Sequence, residues 1–94
     1  MRKITHIRMT DTKSNSTEKI EKVKYTDMIT NKEIERIVKH VILDIKNVEG
    51  LYYCIGKDNK KSKIQVVKEN GIGMYIRSSK NDSEEDNLLS LPHF

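Results

Sequence analysis

The 94 residues, 35% hydrophobic and 34% charged, fit one domain with a small core and exclude a membrane-spanning helix: the longest aliphatic run, residues 41–43, falls far short of the roughly 20 required. A single cysteine, Cys54, excludes an internal disulfide, and the opening Met-Arg-Lys-Ile-Thr-His lacks the apolar run of a secretory signal, so the expected address is the cytoplasm. The net charge of +4 is uneven: residues 1–81 hold all 18 Lys and Arg against 10 acids, while residues 82–94 hold four acids and no Lys or Arg, which implies an anionic partner, a tail folded back on the body, or simply a soluble surface.

Residues 3–10 alternate, with Thr5, Ile7 and Met9 on one face and Ile4, His6 and Arg8 on the other, and predict a first strand. Residues 11–17, Asp-Thr-Lys-Ser-Asn-Ser-Thr, have nothing to bury and several side chains that bond local backbone, so they predict a flexible loop. Residues 18–25 alternate again, Glu21, Val23 and Tyr25 against Ile20, Lys22 and Lys24, and predict a second strand antiparallel to the first. Its lysines have a structural explanation too, since charge protects an edge strand from unwanted pairing.

Thr30 and Glu33 have the spacing of a capping box and place a helix start at Asn31. Ile34, Ile37, Val38, Val41, Ile42 and Ile45 then follow the i, i+3, i+4 template, the strongest periodic signal in the chain, with Lys32, Glu35, Arg36, Lys39 and Lys46 opposite and Gly50 near the end. The helix is therefore expected from Asn31 to about Asn47. Because β-branched residues are mediocre helix formers, tertiary packing must hold it.

Residues 51–55, Leu-Tyr-Tyr-Cys-Ile, and residues 63–68, Lys-Ile-Gln-Val-Val-Lys, predict a hairpin joined by the connector 56–62, and residues 74–77 a last short strand after the turn at 69–73. The fold expected is α+β: a small antiparallel sheet in the order ββαββ, with a short fifth strand, packed on one amphipathic helix. The tail, residues 82–94, is acidic and then leucine-rich. Leu88, Leu89, Leu91 and Phe94 are expected to dock on the core, each worth roughly 1.5 to 3 kcal/mol when fully buried. Asp86 can cap a short turn that Pro92 ends.

Three segments, Lys3-Ile-Thr-His-Ile-Arg-Met, Tyr75-Ile-Arg-Ser and above all Asp86-Asn-Leu-Leu-Ser-Leu-Pro-His-Phe, resemble a domain-of-unknown-function family of small bacterial proteins. Its members close with a Tyr-Leu-Arg-Thr segment followed by Asp-Asn-Leu-Leu-x-Leu-Pro. The chain departs in carrying Ser78 at the threonine position and a longer stretch between Thr30 and Gly50. The resemblance implies one α+β domain and a bacterial source, and it brings no activity, substrate or catalytic residue.

His6, His40, His93 and Cys54 lack the spacing of paired metal ligands, and Cys54, between Tyr53 and Ile55, reads as a small hydrophobe. Gly71-Ile-Gly73 lacks the third glycine of a dinucleotide loop, and the run Asp82, Glu84, Glu85 and Asp86 reads as a solvated segment. No catalytic residue, cofactor or metal site is expected. The function expected is a non-enzymatic binding or regulatory module, monomeric or weakly dimeric, that recognises a protein partner through a sheet edge or the groove beside the tail. The alternative is nucleic-acid binding, motivated by Tyr25, Tyr52, Tyr53 and Tyr75 interleaved with lysines, with Lys22, Lys24, Lys60, Lys61 and Arg77 as the candidate contacts.

Overall fold

A computed structural model of the protein describes residues 1–11, 16–57, 59–78 and 86–94. Among these the chain runs β1 (Arg2–Met9), a 3-10 turn (Thr17–Lys19), β2 (Ile20–Asp27), β3 (Glu33–Ile37), α1 (Val38–Asn47), β4 (Tyr52–Ile55), β5 (Lys61–Glu69), β6 (Gly73–Ser78) and a second 3-10 turn (Asn87–Ser90). The α+β class stands, but the order ββαββ does not: six strands are ordered β3-β2-β1-β4-β5-β6, two antiparallel meanders joined through parallel β1 and β4. The helix is the crossover that this parallel pairing requires. No helix among the described residues is long and apolar enough to cross a membrane. The flexible loop expected at 11–17 lies outside the described residues at 12–15, and Thr17 begins the first 3-10 turn. Of the tail, the acids Asp82, Glu84 and Glu85 also lie outside them.

The largest correction concerns residues 30–37. The Thr30–Glu33 capping box does not form, and the helix begins at Val38 instead of Asn31. The Asp27 carboxylate accepts the backbone N–H groups of Ile29 and Thr30, Asn31 takes a left-handed φ of 59°, and the chain turns back into a hairpin closed by the Asp27 N–H bond to Lys32 O. Glu33-Ile34-Glu35 alternates at the strand period, so Ile34 pairs with Tyr25 across the ladder. Val38, Val41, Ile42 and Ile45 remain as the buried helical stripe.

A second correction lies in β1. The register slips between Ile4 and His6, and again between Arg8 and Met9. With these bulges Ile4, Ile7 and Met9 all turn inward, where strict alternation sets Ile4 against the other two. The core gathers these residues with Ile20, Val23, Tyr25, Tyr52, Cys54, Ile64, Ile76 and Leu88 under the helix.

A polar clasp fastens the helix to the sheet. Asp44 of α1 accepts Arg36 Nε (2.6 Å) and Nη2 (2.9 Å), Arg2 Nη1 (3.2 Å) and the Tyr52 hydroxyl (2.7 Å). Arg2 Nη1 also donates to the Tyr52 oxygen, and its guanidinium lies over the rings of Tyr25 and Tyr52, which meet edge to face. Burial by itself would raise the Asp44 carboxyl, but the Arg36 and Tyr52 hydrogen bonds and the two guanidinium charges outweigh it and hold it below its ordinary value. The Tyr52 hydroxyl is pushed far above its usual range, by burial first and by Asp44 next, so it stays a donor.

The final segment fills a fork in the sheet. Strand β4 pairs with β1 only through Arg2 and Lys3, which leaves the far half of β1 without that neighbour. Residues 92–94 take the place: Ile7 N–H donates to Pro92 O (3.0 Å) and Phe94 N–H to Ile7 O (3.1 Å). Leu88 is fully buried beneath. Asp86 accepts both the backbone N–H and the hydroxyl of Ser78, and it caps the second 3-10 turn through Leu88 N–H. Asn87 donates to the Ser62 hydroxyl (2.8 Å), passing so close to Gly56 that a Cβ there would lie 2.7 Å from its side chain.

Two stability outcomes are expected. Asp44→Asn keeps the size but loses the charge, and should cost about 2 kcal/mol in denaturant titration. Because the folded carboxyl titrates below its unfolded value, its contribution is complete above the ordinary carboxylate range and is lost as pH falls through the folded value. Wild-type stability should therefore drop more steeply than that of the variant below about pH 4, and parallel curves would contradict the clasp. Leu88→Ala should cost about 3 kcal/mol; a loss under about 1 kcal/mol, in the range of surface changes, would make the closing segment peripheral.

Candidate functional site

The face of the sheet turned away from α1 is built by simple parity. On β2, Val23 and Tyr25 point inward, so Lys22, Lys24 and Thr26 point outward. Lys3 lies opposite both Thr26 and Tyr53, and Tyr53 lies opposite Lys63, which puts Lys3, Tyr53, Lys61 and Lys63 on the same outer face. Beyond the first bulge His6 faces Lys24 and Arg8 faces Lys22. Continuing along β5, Gln65 faces Arg77 and Val67 faces Tyr75 with the same outward parity, but on the β5–β6 end of the sheet, which packs beside α1 and the first 3-10 turn. From β2 to β5 the patch spans three strand spacings, roughly 14 Å.

Two aromatic rings sit within this basic surface, each under a cation. Lys61 Nζ lies 4.3 Å above the Tyr53 ring. Arg8 and Lys24 lie 4.6 and 4.8 Å from the Phe94 ring, and Arg8 Nε also donates to Phe94 O. Tyr53 is 8% exposed, roofed by the lysine stem, and Phe94 is half-buried. Two ion pairs border the patch, Lys24 with Glu33 at 3.9 Å and Lys63 with Glu49 at 2.7 Å. Between the rings, Thr5 Oγ1 and His6 Nδ1 are 2.9 Å apart. The arrangement can neutralise a row of negative charges and offer ring faces beside them.

Of the candidates named from the sequence, Lys22, Lys24 and Lys61 lie on the outer face of β1, β2, β4 and β5, and Arg77 points outward on β6, four strands away from β2. Lys60 stands apart in the connector before β5 and is exposed. Of the four tyrosines only Tyr53 and Tyr75 turn outward; Tyr25 and Tyr52 are core residues under the helix, so the expected tyrosine-bearing face carries half the rings first counted. Tyr75 donates to Glu69 at the rim (2.9 Å). Lys3, Arg8 and Phe94 escape sequence reasoning: the first bulge of β1 is what brings Arg8 to the same face as Lys3, and only the pairing of the tail with Ile7 delivers Phe94 to this surface.

Among protein families, the one described as "Protein of unknown function (DUF3892)" matches residues 3–92. No curated protein and no solved structure matches the chain.

Cys54, the lone thiol, is on the inner face opposite Ser62 and fully buried. Burial, reinforced by the Asp86 charge, pushes the thiol up to about 12, so at neutral pH the nucleophilic thiolate is scarce. A thiol-specific disulfide reagent added to the native protein near pH 8 should label Cys54 only at the rate of structural opening. Immediate stoichiometric labelling would contradict this burial.

Proposed function

We propose that this chain, which belongs to the DUF3892 family, is a non-enzymatic module that holds single-stranded nucleic acid across the outer face of its sheet. One observation carries the reading: cations from β1, β2 and β5 lie on a single sheet face around two rings. Lys3, Arg8, Lys22, Lys24, Lys61 and Lys63 are the cations that can take phosphates, about four of them at once. Lys61 lifts from the Tyr53 ring toward a phosphate, and the uncovered ring stacks a base. Phe94, with Arg8 and Lys24 against its ring, offers a second stacking surface once either cation turns to a phosphate. An open sheet face suits an unpaired strand, whose bases are free to splay, better than a duplex that hides them.

A second reading, a module that pairs with another protein, is supported by a different observation: β3 is a sheet edge with four of its five residues exposed.

Titrating a labelled single strand of about 12 nucleotides at several salt concentrations tests the first reading. With four phosphates engaged, log K should fall against log salt with a slope of about −3. Replacing Lys22 and Lys61 with Gln should flatten that slope by about 1.4, whereas replacing Lys39 and Lys46 on the exposed side of α1 should leave it unchanged. No binding at low salt, or equal effects of the two double variants, would refute the assignment.

A further inference from the structure

We infer that the open edge of β3 selects an extended segment of a partner protein in which two basic residues flank an apolar one. The inference rests on the protein-pairing reading and adds to it the chemistry of the partner.

The backbone sets the frame. In an antiparallel ladder, residues alternate between pairs that exchange hydrogen bonds and pairs that turn those groups outward. The Asp27 N–H bond to Lys32 O (2.9 Å) fixes the phase, and the unbroken register from Lys22 opposite Ile37 to Thr26 opposite Glu33 carries it along the strand. Ile34 and Arg36 therefore bond to β2, and Glu33, Glu35 and Ile37 present their N–H and C=O groups to the open side. Among the described residues no other strand pairs there.

The side chains set the selection. Glu33 and Glu35 stand on the outer face, opposite Thr26 and Lys24, and are exposed. Ile34 turns to the other face and is 38% exposed, and Met28 and Ile29 extend the apolar border into the turn, Ile29 being 86% exposed. Arg36 is committed to Asp44.

A second copy of the chain fits this edge badly. Twofold pairing centred on Glu35 sets that residue against its own copy; centring on Ile34 sets Glu33 against Glu35 and Lys32 against Arg36; centring on Arg36 opposes two guanidinium groups. Like charges directly across a ladder are destabilising. A basic–apolar–basic segment meets the opposite situation, with its cations across from Glu33 and Glu35 and its apolar residue beside Ile34. The fold already holds one such pairing on the inner side of β3: Lys22-Val23-Lys24 of β2 sets Lys24 opposite Glu35, with its Nζ 3.9 Å from Glu33.

Backbone amide hydrogen exchange, followed by NMR on the full chain, tests the inference. The probes are a synthetic Thr-Lys-Val-Lys-Val-Thr peptide and the same peptide with glutamates in place of both lysines. The basic peptide should slow exchange at Glu33, Glu35 and Ile37 and leave Ile34 and Arg36, already bonded to β2, unchanged. The acidic peptide should give at least a tenfold weaker effect, and the double variant Glu33→Lys with Glu35→Lys, checked for an intact fold by its spectrum, should reverse the preference. Equal protection by both peptides would overturn the charge selection while leaving edge pairing in place. Absence of protection at those three amides with either peptide would overturn edge pairing itself. Concentration-dependent protection without peptide would overturn the inference in favour of a second copy.

Discussion

A single carboxylate reaches almost every part of the fold that has to be aligned. Asp44 stands in the only α-helix of the described residues and accepts hydrogen bonds from Arg2 on β1, Arg36 on β3 and Tyr52 on β4, while Tyr25 of β2 closes the cluster through its ring. An apolar helical stripe slides on a sheet at little cost, because hydrophobic attraction has no direction. Charge-assisted hydrogen bonds do have direction, and a bidentate guanidinium adds a fixed plane. Val41, Ile42 and Ile45 thus supply attraction, and Asp44 supplies the position. The cluster is closed on itself, with Arg2 spanning Asp44 and the Tyr52 hydroxyl, so it has little left to offer a ligand. That is the physical reason to assign it to the scaffold and to look for binding elsewhere.

The same scaffold has one weakness, the fork where β4 leaves β1, and the closing segment answers it at three depths. Leu88 fills the core, Asp86 and Asn87 satisfy Ser78 and Ser62, and the backbone of residues 92–94 completes the ladder of β1. Burying Leu88 without Asp86 would remove the carboxylate that accepts the Ser78 hydroxyl and N–H in a dry place, a cost that offsets part of the gain. Apolar and polar parts of the segment therefore depend on each other. The placement also has a consequence at the surface, since the pairing with Ile7 is what carries Phe94 to the basic face. Closing the core and furnishing the outer face are one structural event.

Much of this was legible from residue order where the strand period ran undisturbed. Lys22-Val23-Lys24-Tyr25 states its two faces plainly, and two adjacent tyrosines, Tyr52 and Tyr53, must point opposite ways, so one of them had to be inside. What could not be read turns on competition between periods and on irregularities. Ile34 and Ile37 satisfy the helical spacing with Val38 and Val41, yet Glu33-Ile34-Glu35 also satisfies the strand spacing, and the Asp27 turn with left-handed Asn31 decides for the strand. A bulge has no composition of its own, so the inward turn of both Ile4 and Ile7 leaves no trace in the letters. Asp44 left a faint one: a lone acid between Leu43 and Ile45, at the border of the apolar stripe, is a residue that needs a partner. Which arginine supplies it depends on a crossover that only the sheet order defines.

The distribution of charge separates two surfaces that share one sheet. Cations collect across the middle of the outer face, on β1, β2 and β5, whereas the exposed carboxylates Glu33 and Glu35 mark its β3 edge. Lys24 sits at the boundary, 3.9 Å from Glu33 and 4.8 Å from the Phe94 ring, and so belongs to both. A cation drawn toward a phosphate on the face relinquishes part of its hold on Glu33, which raises the negative potential at the edge. A basic strand on the edge does the reverse, competing with Lys24 for the same carboxylate and freeing the lysine for the face. Between side chains this exposed such coupling is at most about 1 kcal/mol, and salt weakens it further. It has the same sign in both directions, as any linkage between two sites must. On the proposed readings the two surfaces would favour each other's occupation, with Lys24 as their shared element.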